Sequence, residues 1–354
     1  MSRYLTVISC CALLLVPAAS AARIGDGGGA TKSGAASKPS WAQAQIRYVI
    51  QHGLMAKTVA SFRADDPLTQ GELATLVGGL TKRPAAAVAN KAAPVTVTQL
   101  DARLVRTLGL ADAAAALGAN ARAAGLAIPS RFGTETVARL LGLRTNHPAA
   151  QDDLELLPSA PVTRAETAYS VARILRFGGW ETQYVEDAAA TFELPLVRGW
   201  QKRVLDTAIR FVGFPYVWGG TSEKPEAPFG VEAPGGFDCS GFIWRVYKLQ
   251  AYSGGATLSA TIKGRTTYQM SGEVPRSKRI GFAKLQPGDV LFFGPAGPRS
   301  KPASVGHTGI YVGGGWMIHS SGQGVAVTPL TGWYRQQFAW ARRPLAEAGL
   351  QGTK

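Results

Sequence analysis

Apolar residues recur at helical spacing in two separated parts of the chain and alternate in strand fashion in a third. Between Trp41 and Thr81, the positions Ile46, Val49, Ile50 and Leu54 mark one helix, Asp65-Asp66-Pro67 a turn, and Leu73, Leu76 and Val77 a second helix. That second helix opens on Thr69-Gln70-Gly71-Glu72, where a Thr N-cap and a Glu three residues on form a capping box. The same arrangement returns at Thr163-Arg164-Ala165-Glu166, ahead of Ala168, Val171 and Leu175. An internal repeat is the economical reading. Phe132-Gly133-Thr134-Glu135, in the alanine-rich helical stretch from Thr98 to Arg144, supplies a weaker middle copy. Trp180 to Pro195 reads as a linker, and Val204, Leu205, Ala208, Ile209 and Val212 then share one face of a new helix. Near the C-terminus, Gly306 to Val312 and Gly315 to His319 read as two strands joined through Gly313-Gly314.

The N-terminal residues follow a different pattern. Arg3 precedes an apolar run from Val7 to Val16 and the small residues Ala18-Ala19-Ser20-Ala21-Ala22, which is the layout of a secretory signal peptide over residues 1–22. The run is too short to span a bilayer, and no later stretch reaches the roughly 20 apolar residues a span requires. The mature protein is therefore expected to be secreted, extracellular or wall-associated, with residues 23–40, rich in Gly, Ala, Ser, Thr and Lys, as a flexible tether. Cys10 and Cys11 precede most of the apolar run instead of ending it, so they are expected to leave with the signal rather than to carry lipid. Cys239 is then the only thiol, and an intrachain disulfide is ruled out. With 38 Lys+Arg against 23 Asp+Glu and a net charge of +15, the partner should be anionic: nucleic acid, a membrane surface or an acidic wall polymer. Export and the lack of a recognised reading motif argue against nucleic acid.

Candidate chemistry gathers around Cys239. Phe237-Asp238-Cys239-Ser240-Gly241-Phe242 precedes a helical pattern carried by Phe242, Ile243, Val246 and Leu249, which places Cys239 at a helix N-terminus. There the unpaired N–H groups and the helix dipole are expected to lower the thiol pKa from about 8.5 toward neutrality or below. Asp238 is placed to be the N-cap. A thiolate near an imidazole is a nucleophile, and of the four histidines His52, His147, His307 and His319, the last two lie in the predicted hairpin. A three-residue turn would set His307 opposite His319 on one face; a two-residue turn would put them on opposite faces unless a bulge restored the register. Both turns remain open. A Cys-His-His metal site lacks an evident fourth ligand, and nothing calls for a cofactor.

On these residues the segment from Trp200 to Pro344 resembles the NlpC-type cell-wall cysteine endopeptidases. The matching stretches, in order, are Gly213-Phe214-Pro215-Tyr216-Val217-Trp218-Gly219-Gly220, the Asp238-Cys239-Ser240-Gly241-Phe242 segment, Gln286-Pro287-Gly288-Asp289-Val290-Leu291-Phe292-Phe293, and Gly306 to Gly313 with Ile318-His319. A long insertion from Glu223 to Gly236 departs from the pattern and should form a loop near the cleft. The resemblance implies an α+β, reduced papain-like catalytic domain, with the cysteine at the start of a helix packed on an antiparallel sheet. It also implies roles: Cys239 attacks an amide carbon, His307 transfers the proton, and His319 orients the His307 ring. Tyr216 supplies an oxyanion donor, and Tyr216, Asp238 and Ser240 line the substrate pocket. The implied reaction is hydrolysis of peptidoglycan stem peptides between γ-D-glutamyl and a diamino acid. The alternatives are an amidase or acyltransferase of the same fold and a non-catalytic wall-binding surface protein.

The helix-rich units ahead of this domain resemble S-layer homology repeats. Thr163 to Glu166 matches the signature, whereas the first copy has Gln70 in place of Arg and the middle copy has no Arg there. The expected order is therefore signal peptide 1–22, tether 23–40, mostly α-helical repeat region 41–177, linker 178–199, peptidase domain 200–347 and tail 348–354. The repeat region would hold anionic wall polymer and be dispensable for chemistry. A helical scaffold without wall binding is the alternative.

Overall fold

The computed structural model describes residues 40–146 and 155–351. The expected signal peptide, all but the last residue of the expected tether, His147 and the final residues of the tail lie outside the described residues. The helical half comprises α1 (Gln43–Gln51), α2 (Gln70–Thr81), α3 (Val97–Thr107), α4 (Ala111–Ala123), α5 (Phe132–Leu140), α6 (Arg164–Ile174) and α7 (Trp180–Ala190).

Three threonine caps organise this half. Thr69, Thr96 and Thr163 each accept the backbone N–H of the third residue on, Glu72, Gln99 and Glu166, so that orphan donors of α2, α3 and α6 are satisfied. The extended residues just before the caps close into a ring: Leu68 N–H donates to Val162 O, Val162 N–H to Val95 O, and Val95 N–H to Leu68 O, each at 2.8 Å. The middle member of the triplet is therefore Pro94-Val95-Thr96, not Phe132 to Glu135 as the sequence pattern suggested. Phe132 to Glu135 is instead the first turn of α5, where Thr134 Oγ1 donates back to Arg131 O at 3.0 Å. Glutamine can close a capping box as glutamate does, and Gln99 returns its bond to Thr96 N at 3.0 Å.

The second half begins with α8 (Gly199–Ile209). A short antiparallel pair, β1 (Thr221–Ser222) and β2 (Gly236–Phe237), precedes α9 (Cys239–Trp244), α10 (Leu258–Thr261) and α11 (Thr267–Gly272). Then come β3 (Val290–Phe293), β4 (His307–Gly313), β5 (Trp316–Ser321), β6 (Gly324–Pro329), α12 (Gly332–Gln337), β7 (Phe338–Arg342) and α13 (Pro344–Glu347). The five longer strands form one antiparallel sheet in the order β6-β5-β4-β3-β7, and α9 rests on β4 and β5. The insertion 223–236 is tied at its base by Glu223, whose carboxylate accepts from Arg245 at 2.6 and 2.7 Å.

The two halves share one core. The segment 178–199, expected as a linker, contains α7, and Phe192 is buried edge-on against Trp316 at 4.8 Å. Arg131 donates to Val212 O (2.8 Å) and Arg210 O (2.6 Å), and Arg139 donates to Gly213 O (2.8 Å) and to Gln323 O. These bonds use backbone carbonyls that the second half leaves open, so the helical half completes it instead of hanging from it.

Arg139 also lies in a buried charge group, 2.7 Å from Glu155 and 3.5 Å from Glu135. Burial pushes Glu155 up to about 8 and Glu135 up to about 7. Carboxyls raised in the fold stabilise it fully below their unfolded pKa, and that contribution is lost as pH rises through the folded values. Between about pH 5 and 8 the melting temperature should fall for this reason, and Glu155→Gln should flatten the slope. Thermal melts across that range check it; a variant with the wild-type slope would remove Glu155 from the linkage.

Candidate active site

Cys239 is the first residue of α9, and Asp238 is its N-cap, accepting the Gly241 N–H at 2.5 Å. Phe237 is pinned between two bonds, donating to Pro215 O (3.1 Å) and accepting from Val217 N (3.3 Å). This brings the half-buried Tyr216 alongside the Asp238-Cys239 segment. The sulfur receives the backbone N–H groups of Ser240 and Thr308, which sets it at the head of β4 beside His307. Burial first, and then the Asp238 carboxylate, push the Cys239 thiol up to about 12. Burial and the Asp238 charge oppose the lowering expected from the helix N-terminus, while the backbone N–H groups of Ser240 and Thr308 and the charge of Arg265 act in the expected direction. The cap of that helix, Asp238, carries a negative charge against the sulfur.

The histidine pair is positioned by a two-residue turn with a bulge. The ladder pairs Ile310 with Ile318 and Tyr311 with Met317, then shifts before Gly313 pairs with Trp316. Continuing that register puts His319 opposite Gly309 and leaves His307 diagonal to it, with both side chains on the face shared by Tyr311 and Met317. His307 Nε2 lies 2.8 Å from His319 Nδ1, and His319 Nε2 lies 3.1 Å from Thr328 Oγ1. The chain Thr328–His319–His307 leaves His307 Nδ1 as the nitrogen not engaged by His319. Burial lowers His307 to about 4 and His319 well below its ordinary value, the neighbouring His307 adding to the latter. Both rings are therefore neutral near pH 7. Tyr334 on α12 covers them, with ring centroids 6.0 Å from His307 and 5.1 Å from His319.

Gly309 makes room for this pair. A Cβ there would stand 3.0 Å from His319 Cβ and 3.2 Å from both Ile318 O and Met317 Sδ. Gly309→Ala is expected to push the His319 ring off its line and to lengthen its bond to His307. Imidazole NMR of the variant beside wild type checks it, and unchanged ring resonances would show that β5 yields freely.

Asp238 and Ser240 are buried and bonded to each other, Ser240 Oγ donating to Asp238 Oδ1 at 3.0 Å. The structure therefore gathers Cys239, His307, His319, Asp238, Ser240 and the Tyr216 segment into one place, while His52 is exposed far along the chain on α1's C-terminal end. Three neighbours escaped the sequence reading: Thr328, Tyr334 and Arg265. Thr328 was legible in principle, since the alternation of β6 puts it on the His319 face once that strand is recognised.

A helix headed by cysteine and laid on an antiparallel sheet that carries a hydrogen-bonded histidine pair follows the plan of the papain-like fold. Over residues 213–343 the chain matches the model of the NlpC/P60 family. It is 30% identical over 153 residues to a γ-D-glutamyl-L-lysine dipeptidyl-peptidase of Bacillus subtilis, covering 42% of this chain and 43% of the relative. It is 33% identical over 142 residues to a probable peptidoglycan endopeptidase of the same organism, covering 40% and 34%. A crystal structure of an NlpC/P60 family protein from Bacillus cereus is 31% identical, covers 44% of this chain and 43% of that one, and superposes with a TM-score of 0.31. The chain spans less than half the length of these relatives.

Proposed function

We propose that this protein is an exported cysteine peptidase that hydrolyses peptidoglycan stem peptides at the amide between γ-D-glutamyl and a diamino acid. The observation that carries the reading is the 2.8 Å bond between His307 and His319, anchored by Thr328 and set beside the Cys239 thiol. The names of the relatives support the substrate class.

In this reading Cys239 Sγ attacks the amide carbon as His307 takes its proton. The thiol is neutral at rest, so proton transfer accompanies attack instead of preceding it. His307 then hands the proton to the leaving amine, leaving a thioester. Water, deprotonated by His307, releases the acid and regenerates the thiol. His319 fixes the direction and tautomer of the His307 ring, and Thr328 does the same for His319. The Cys239 N–H and the Tyr216 hydroxyl stabilise the oxyanion.

The test is mass spectrometry of muropeptides incubated with the mature chain. Products ending in free γ-D-glutamate are expected, and cleavage at another amide, or none, would sink the reading. A pH profile follows from the half-buried base. His307 is lowered to about 4, so its neutral form is present above that pH and is lost as pH falls through it. The acid limb of kcat/KM should lie near 4, and a limb near 6.5 would mean that burial does not govern the base.

Wall attachment through 41–177 is a separate proposal. Arg164 is turned inward, donating to Glu72 (2.5 Å), Phe62 O (2.6 Å) and Met55 O (2.7 Å). Attachment would instead draw on the exposed Arg83 and Lys91 at a cavity of about 950 Å³ beside α2. Pelleting with purified walls across a salt series, with and without Arg83→Ala and Lys91→Ala, tests this.

A further inference from the structure

We propose that Arg265 is a positioning residue for Cys239, locking the Asp238 carboxylate and the Gly219-Gly220 loop against the start of α9 and offsetting the Asp238 charge where the sulfur becomes anionic. The proposal rests on the reading of Cys239 as nucleophile.

The guanidinium joins segments far apart in the chain. Nη1 donates to Asp238 Oδ1 (3.1 Å) and Ser240 Oγ (2.7 Å); Nη2 donates to Asp238 Oδ2 (3.1 Å), Gly219 O (3.0 Å) and Gly220 O (3.3 Å). Asp238 Oδ2 in turn accepts Gly219 N–H at 2.9 Å, so the loop that follows Tyr216 is held from both its N–H and its C=O sides. Arg265 is itself fixed, its N–H donating to Gln269 Oε1 at 3.0 Å in the turn that opens α11. Only a planar fork with several donors can meet a carboxylate and two carbonyls at once; an ammonium cannot.

The groups that act on the sulfur are Asp238, the cap of its own helix, Arg265 ahead of α11, and the backbone N–H groups of Ser240 and Thr308; Thr308 follows His307, which pairs with His319. Burial keeps the histidines neutral, which leaves Asp238 and Arg265 as the opposed charges. Asp238 raises the thiol pKa and Arg265 lowers it. Without Arg265, a nearly buried carboxylate would confront the developing thiolate uncompensated.

Alkylation of Cys239 by iodoacetamide at pH 8, in the full chain and read by peptide mass mapping to separate it from Cys10 and Cys11, requires no substrate. Arg265→Gln should slow it roughly tenfold, about one pKa unit. Adding Asp238→Asn to Arg265→Gln should restore most of the rate, because an asparagine still caps α9 without charge. Arg265→Lys should keep alkylation within about threefold of wild type but lower kcat on muropeptides roughly tenfold, with KM little changed, because its point charge cannot span the loop. A folded Arg265→Gln variant alkylated at the wild-type rate, or a double variant no faster than the single one, would overturn the proposal. Should Arg265→Gln lose its cooperative melt, Arg265→Lys decides, since wild-type kcat in it would equally overturn the idea. A wild-type chain that alkylates normally yet cleaves no muropeptide refutes the hydrolase reading and not this one.

Discussion

Cys239→Ser is expected to lower muropeptide hydrolysis by at least about a thousandfold while shifting stability by less than about 1 kcal/mol. The substitution changes one atom at a half-buried position and leaves the cap on α9 in place. A serine hydroxyl is a far weaker acid and a poorer nucleophile than a thiol served by the same base. His307→Ala should be nearly as damaging. His319→Asn should retain part of the activity, because an amide can still bond the His307 ring without titrating. Cleavage followed by chromatography, beside a thermal melt, measures both effects. A folded Cys239→Ser variant with wild-type turnover would rule out the thiol mechanism.

The second large effect concerns the helical half. A fragment beginning at Arg198 should fail to melt cooperatively and should bind a hydrophobic dye, although the sequence suggests a detachable catalytic domain. Cutting there strips Phe192 from Trp316 and removes the donors that Arg131 and Arg139 supply to Val212, Arg210, Gly213 and Gln323. Each large apolar side chain uncovered costs about 1.5–3 kcal/mol, and several such losses equal the roughly 5–15 kcal/mol that holds a typical domain together. Near-UV circular dichroism and calorimetry of the fragment test this. A cooperative melt with full cleavage by residues 198–354 would show that the shared core is not required.

What was legible in the chain was whatever depends on neighbours in sequence. Helix starts at Thr69 and Thr163 could be read because a cap bonds an amide three residues away, and Cys239 could be placed at a helix start because Asp238 and the apolar spacing after it are local. The pairing of His307 with His319 was legible only as a choice between turns. A bulge at Val312 settled it, and a bulge depends on how the whole sheet packs.

The remainder was decided by residues distant in sequence. The ring of Leu68, Val95 and Val162 identifies the middle helix start, which pattern matching had placed at Phe132. Burial and the Asp238 charge push the thiol pKa up, and burial is a property of the assembled core. Arg265 carries no local mark of its importance, since its partners lie 25 to 46 positions away. Sequence alone thus determined the candidate side chains and the helix start that presents Cys239. Only the tertiary structure decided their protonation, their supports and the union of the two halves, because desolvation and long-range hydrogen bonding exist only once the chain has closed on itself.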